Sequence, residues 1–128
     1  MPLIYQHRIY RKDLRANPHI LYVFGDNVKR VGLGGQAREM RGEQNAVGIA
    51  TKWEPDTRPA SYFSDRLIER EKEIILNDLL PVMAALMKGE VVIWPLDGIG
   101  TGLSAMPDRA PQTWAWLEEV RKMMEKTA

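Results

Sequence analysis

The 128-residue chain contains no cysteine. That absence excludes disulfides, cysteine-based zinc sites and thiol nucleophiles, and it fits a reducing compartment. Histidine is scarce as well: His7 and His19 are the two present, and they show no metal-ligand spacing, so no metal is expected. An excess of charge of either sign is also missing. Eighteen basic and seventeen acidic side chains leave a net charge of +1, so no overall field recruits nucleic acid or an anionic membrane. Any ligand has to be read locally. No apolar run approaches the roughly eighteen residues of a membrane span. The first stretch, MPLIYQHRIYRKDL, carries Arg8, Arg11, Lys12 and Asp13 and no long apolar core, unlike a signal peptide. A cytoplasmic protein without a membrane partner is the expectation.

What is present suits one globular domain over residues 1–128, with 45% hydrophobic and 27% charged side chains. LIYQHRIY alternates like a strand. HILYVF, NAVGIAT and EVVIWP are short apolar runs of the kind that form buried strands. GGQAREMRG carries helix formers closed by Gly42, and EPDTRPAS reads as a loop. From about Ser64 to Lys88 a long helical region places Leu67, Ile68, Ile74, Ile75, Leu79, Leu80, Met83, Leu86 and Met87 on one stripe, with Glu69, Arg70, Glu71, Lys72 and Glu73 facing out. Pro81 is expected to kink or divide it. Asp108 is placed to cap a last helix with Pro111 in its first turn. Strands alternating with helices imply an α/β layered domain with helices covering the sheet.

Two glycine-rich stretches carry the functional signal. RVGLGGQA follows one apolar run, and DGIGTGL follows another. Glycine lets the main chain approach a ligand closely, and successive amides leading into a helix offer partial positive charge to an anion. Gly32, Gly34 and Gly35 fit that description, as do Gly98, Gly100 and Gly102, with Thr101 adding a hydroxyl. Each leaves a strand and feeds a helix, which is where α/β folds bind ligands. Two such loops at one sheet edge would grip a diphosphate from both sides; tight turns with sterically required glycines are the simpler alternative. GLGGQA also satisfies the dinucleotide fingerprint, with Glu54 about twenty residues on as the ribose ligand. However, GDNVKRV intervenes between Phe24 and Gly32, and the fingerprint leaves the second loop unused.

IYRKDLRANPHILYVFGDNVKRVGLGGQA, VGIATKW and VVIWPLDGIGTGLS together resemble a macrodomain. They are most similar to the terminal ADP-ribose protein glycohydrolase branch, and the similarity covers nearly the whole chain. It implies a three-layer α/β/α fold around a central mixed sheet, a monomer without a resident cofactor, and ADP-ribose or an ADP-ribosylated macromolecule as partner. Direct nucleic-acid binding is not expected unless the nucleic acid is ADP-ribosylated. Asp13 sits where the family's aspartate accepts a hydrogen bond from adenine, with Leu14 supplying the following amide; a turn residue before Asn17-Pro18 is the alternative for Asp13. Gly32, Leu33, Gly34, Gly35 and Gln36 resemble the loop around the diphosphate and distal ribose. Gly98, Ile99, Gly100, Thr101, Gly102, Leu103 and Ser104 resemble the opposing phosphate loop.

Asn27 and Arg30 stand before the first loop, in reach of the ribose or a phosphate, although Arg30 equally suits a solvated surface and Asp26 a structural turn. Trp53, Tyr62 and Phe63 would either stack on adenine or anchor their loop in the core. Lys52 matches the branch's nucleophilic lysine, but the aspartate expected after the second Gly-Leu is replaced by Ser104. A serine cannot act as general base in its place, which leaves Asp97, or Asp108, as a substitute carboxylate. Lys52 is therefore a nucleophile with a different partner, a cation holding a phosphate, or a surface lysine at a strand end. The second is favoured because phosphate pairing needs charge alone. Hydrolysis of an ADP-ribosyl glycosidic or ester bond and binding without turnover both fit these residues.

Overall fold

A computed structural model describes residues 3–127. Met1, Pro2 and Ala128, included in the expected domain, lie outside it. Four strands, β1 (Leu3–Gln6), β2 (Leu21–Asn27), β3 (Ala46–Lys52) and β4 (Val92–Pro95), form one sheet in the order β1-β4-β2-β3. All three pairings are parallel. The expected mixed sheet is thus replaced by a parallel one, in which every return of the chain is a crossover.

Alternation along the central strands divides the core in two. Val23, Val92 and Trp94 belong to one apolar cluster, whereas Tyr22, Phe24 and Ile93 belong to the other. Helices α1 (Arg11–Ala16) and α2 (Ala37–Met40) contribute Leu14, Ala37 and Met40 to the second cluster. The first takes Ile75, Leu79, Val82, Leu86 and Leu117 from α3 (Ile68–Met87) and α5 (Pro111–Thr127). A sheet covered on both faces needs apolar side chains pointing both ways, which is why HILYVF and EVVIWP read as unbroken apolar runs.

Several local expectations are corrected. The first strand ends at Gln6 rather than continuing to Tyr10, because Ile9 turns into the α1 side of the core and the Tyr10 amide donates to Asp13 Oδ2 at 2.8 Å. Pro81 does not divide α3; Pro81 and Asn77 are both exposed, so the Asn77 carbonyl that Pro81 cannot serve faces solvent. Leu67, Leu80 and Met87 leave the expected stripe for the surface, and Val82 joins it. Glu71, expected to face out, is fully buried; its carboxylate accepts from the Thr113 hydroxyl at 2.8 Å and the Ser64 amide at 2.9 Å. Burial pushes its pKa up, against the lowering effect of those two bonds. Asp108 does not cap α5 but lies in the short helix α4 (Met106–Arg109), and Asp65 serves α5 instead, accepting from the Gln112 amide at 2.9 Å. Among the described residues no helix is long and apolar enough to cross a membrane.

Candidate functional site

Strands β2 and β4 are neighbours, yet the chain leaves them toward opposite faces, to α2 on one side and α5 on the other. A parallel sheet opens a crevice at such a divergence. The crevice here is a cleft of about 310 Å³ at the carboxyl edge of the sheet, walled by both glycine loops. Gly32, Gly34, Gly35 and Gln36 line it from one side, and Asp97, Gly98, Gly100, Thr101, Gly102, Leu103 and Ser104 from the other. A Cβ on Gly34 would stand 2.9 Å from Leu103 Cδ1, so the loops meet at that glycine. Gly100 has φ +89°, and a Cβ there would lie 2.5 Å from Met106 Sδ.

Many of the loop amides are open. Among the described residues none from Val31 to Ala37, and none from Ile99 to Ser104, donates to a protein acceptor. Main-chain donors left open in this way require water or a ligand as their acceptor. Ser104 is buried at the cleft wall, and the Thr101 hydroxyl donates back to the Asp97 carbonyl at 2.6 Å, bracing its own loop.

The floor comes from the ends of β2 and β3. A register irregularity between Asp26 and Asn27 pairs Asn27 with Lys52, setting both beside the cleft. Asn27 is 7% exposed; its Nδ2 donates to the Val31 carbonyl at 2.7 Å, while Oδ1 is buried without a partner among the described residues. Gln36 Oε1 is likewise unpartnered.

Lys52 is no surface lysine, being 7% exposed. Its Nζ donates to the Asp56 carbonyl at 2.6 Å and lies 4.3 Å from the centre of the Tyr62 ring, with Arg109 Cζ at 3.9 Å from the same ring. Burial lowers its pKa and the charge of Arg109 lowers it further, while Asp56 opposes both. The loop Lys52 holds is itself braced: Arg58, with the Ser61 hydroxyl, keeps the Asp56 carboxyl down at about 2. Trp53 and Phe63 meet edge to face at 4.9 Å, and Phe63 is buried, so these two rings anchor the loop.

Other sequence-selected residues lie outside the cleft lining. Asp13 Oδ2 accepts from the Tyr10 amide and from Gln6 Nε2 at 3.2 Å, and Leu14 is buried in the core. Arg30 lies at the surface with its side chain 38% exposed, and its Nη2 pairs with Asp78 at 2.7 Å. Asp78 also accepts from the Ala50 amide of edge strand β3 at 2.8 Å. Ile99 is a core residue, Leu33 is exposed, and Glu54 pairs with Arg58 at 3.0 Å. Asp97 lines the cleft with its side chain 76% exposed, 3.7 Å from His7 Nε2.

Two cleft residues were not legible as a pair in the sequence. Arg41 forks onto buried Asp26 at 2.6 and 3.2 Å and donates to the Gly32 carbonyl at 2.8 Å. Only a lone arginine before Gly42 signals it, fifteen residues from its partner. Among protein families, the sequence model of one described as a family of unknown function (DUF7831) matches residues 4–120. No curated protein and no solved structure matches the chain.

Proposed function

This chain belongs to the DUF7831 family of unknown function, so its role has to be argued from the site, and we propose that it binds ADP-ribose, free or attached to a macromolecule. The diphosphate lies between the two glycine loops. The observation that carries this reading is the pairing of two facing loops with open amides, which suit phosphate oxygens from both sides. Asn27 Oδ1 supplies a buried acceptor for a ribose hydroxyl, and Lys52 adds the cation. The resemblance to macrodomains gives the ligand its identity, and a sheet covered on both faces is in keeping with a macrodomain-like three-layer fold.

Binding without turnover is the favoured form. Lys52 Nζ is engaged by the loop it holds, Ser104 stands at the position of the family's aspartate, and Asp97 is largely in solvent. Hydrolysis of an ADP-ribosyl bond is the second reading, favoured by the lowered pKa of Lys52, which makes more free amine available near neutrality. Calorimetric titration with ADP-ribose, NAD and ADP in parallel tests both, with the ADP-ribose or an ADP-ribosylated peptide then checked for conversion. Preference for ADP-ribose with no conversion is the expected result. A preference for NAD, or no binding, refutes the proposal; release of ADP-ribose from the peptide selects the second reading.

A further inference from the structure

Helix α3 changes character halfway along its outer side. Of residues 68–75 those exposed are Glu69, Arg70 and Glu73, all charged; of residues 76–87 they are Leu76, Asn77, Leu80, Pro81, Ala84 and Met87, none charged. Leu76 is 43% exposed, Leu80 57% and Met87 89%. The one charge in this second half, Asp78, is committed to Arg30 and to the Ala50 amide. Steps of three and four residues set Leu76, Leu80, Ala84 and Met87 along one line of the helix, about 18 Å long, away from the side that buries Ile75, Leu79, Val82 and Leu86. Single exposed apolar side chains need no explanation, but a continuous uncharged line of them marks a contact surface.

The ends of the line fix what it is suited to meet. Glu73 extends it at the amino end, and Lys88 follows Met87 at the carboxyl end. Both are exposed, and neither has an ion-pair partner among the described residues, whereas Glu69 is paired with Lys72 at 3.9 Å. An apolar line with a free acid at one end and a free base at the other is complementary to itself turned end for end. A parallel copy would set like charges together at both ends. An antiparallel copy sets Glu73 of each chain beside Lys88 of the other, with the two-fold axis between Leu80 and Pro81 and Leu76 beside the small Ala84, and such a contact is isologous.

We infer that the Leu76–Met87 face of α3 is the interface of a symmetric dimer, packed antiparallel against the same face of a second copy. This rests on the helix surface alone and holds whatever ligand the cleft takes. From Met87 the chain turns through Gly89 into β4, whose carboxyl end carries the second glycine loop, so the contact face lies toward the amino edge of the sheet and leaves both clefts open. A face of this length is smaller than a standard interface of roughly 800 Å² per partner, so the dimer is reversible and forms with concentration.

Sedimentation velocity from low-micromolar to near-millimolar protein is expected to show the average mass rising from one chain toward two. Leu80→Glu puts a carboxylate at the two-fold axis and is expected to keep the protein monomeric throughout, with the Tm of dilute samples unchanged because Leu80 is exposed. Glu73→Lys and Lys88→Glu each turn two attractive contacts into repulsive ones, and each is expected to raise the dissociation constant about fivefold or more. Combined, they restore the attraction with its signs exchanged, and the double variant should return to within about twofold of the parent. A parent that stays monomeric at every concentration overturns the proposal. So does a dimer that survives Leu80→Glu, or a pair of charge reversals whose losses add in the double variant instead of cancelling.

Discussion

Replacing Arg41 by methionine tests whether one ion pair both stabilises the fold and sets the first glycine loop. Asp26 has 4% of its side chain exposed and Arg41 21%, so the bidentate contact at 2.6 and 3.2 Å is largely desolvated. Methionine keeps much of the packing against Phe24, whose ring centre is 5.7 Å from Arg41 Cζ, but strands the carboxylate. Losing one partner of a buried pair costs about 3–5 kcal/mol. Two features hold the cost near the lower bound: the Asn27 amide still donates to Asp26 at 2.8 Å, and Arg30 Nη1 remains 4.0 Å away. For a domain of this size about 3 kcal/mol corresponds to a Tm lowered by roughly 10 °C. In the same change the Gly32 carbonyl loses its side-chain donor at 2.8 Å and the Val31 carbonyl loses the longer of its two, at 3.3 Å, keeping Asn27, so the loop is loosened as well. ADP-ribose affinity should fall at least about tenfold, or 1.4 kcal/mol. Arg41→Lys keeps the charge but not the fork, and should recover part of the Tm while leaving affinity low. Calorimetric unfolding and ligand titration read the two effects separately. A Tm within about 2 °C of the parent refutes the energetic argument; a full loss of Tm with unchanged affinity refutes the role in positioning the loop.

Gly100→Ala should destabilise the fold by about 1–3 kcal/mol, because φ is +89° and the added Cβ meets buried Met106 at 2.5 Å; an unchanged urea midpoint would contradict this. Glu71 carries a raised pKa, so the folded state holds its proton more tightly than the unfolded chain and stability falls as pH rises from the ordinary glutamate range through the raised value. Glu71→Gln should remove that decline, and parallel Tm-against-pH curves for parent and variant would rule it out. Lys52→Met should lower ADP-ribose affinity more than tenfold, since it removes the cleft cation and the donor to Asp56; unchanged affinity with lost turnover would instead identify a nucleophile.

Local patterns settled a good part of this architecture. The apolar runs around Val23 and Val92 mark strands buried on both faces, and glycines at positions 32, 35, 98 and 100 sit where φ is positive. Those features depend on a few adjacent residues, so the chain displays them before it folds. The sequence placed both glycine loops downstream of strands for the same reason. Strand order is different in kind. Whether β4 lies beside β2, parallel to it and with its loop facing the first, is decided by helices packing over two faces and by contacts some seventy residues apart. Asp13 shows the same limit, because only the packed structure brings Gln6 to its Oδ2, which also accepts from the Tyr10 amide. Glu71 reads as solvent-facing in a charged run, and only the arrival of Thr113 from another helix makes its burial tolerable. Arg41 and Asp26 become a pair when β2 and α2 pack. The sequence by itself determined which segments extend, coil into helices and turn; the tertiary structure decided which strands pair, which polar groups are satisfied by the protein and which are left for a ligand, because that balance depends on neighbours no local pattern contains.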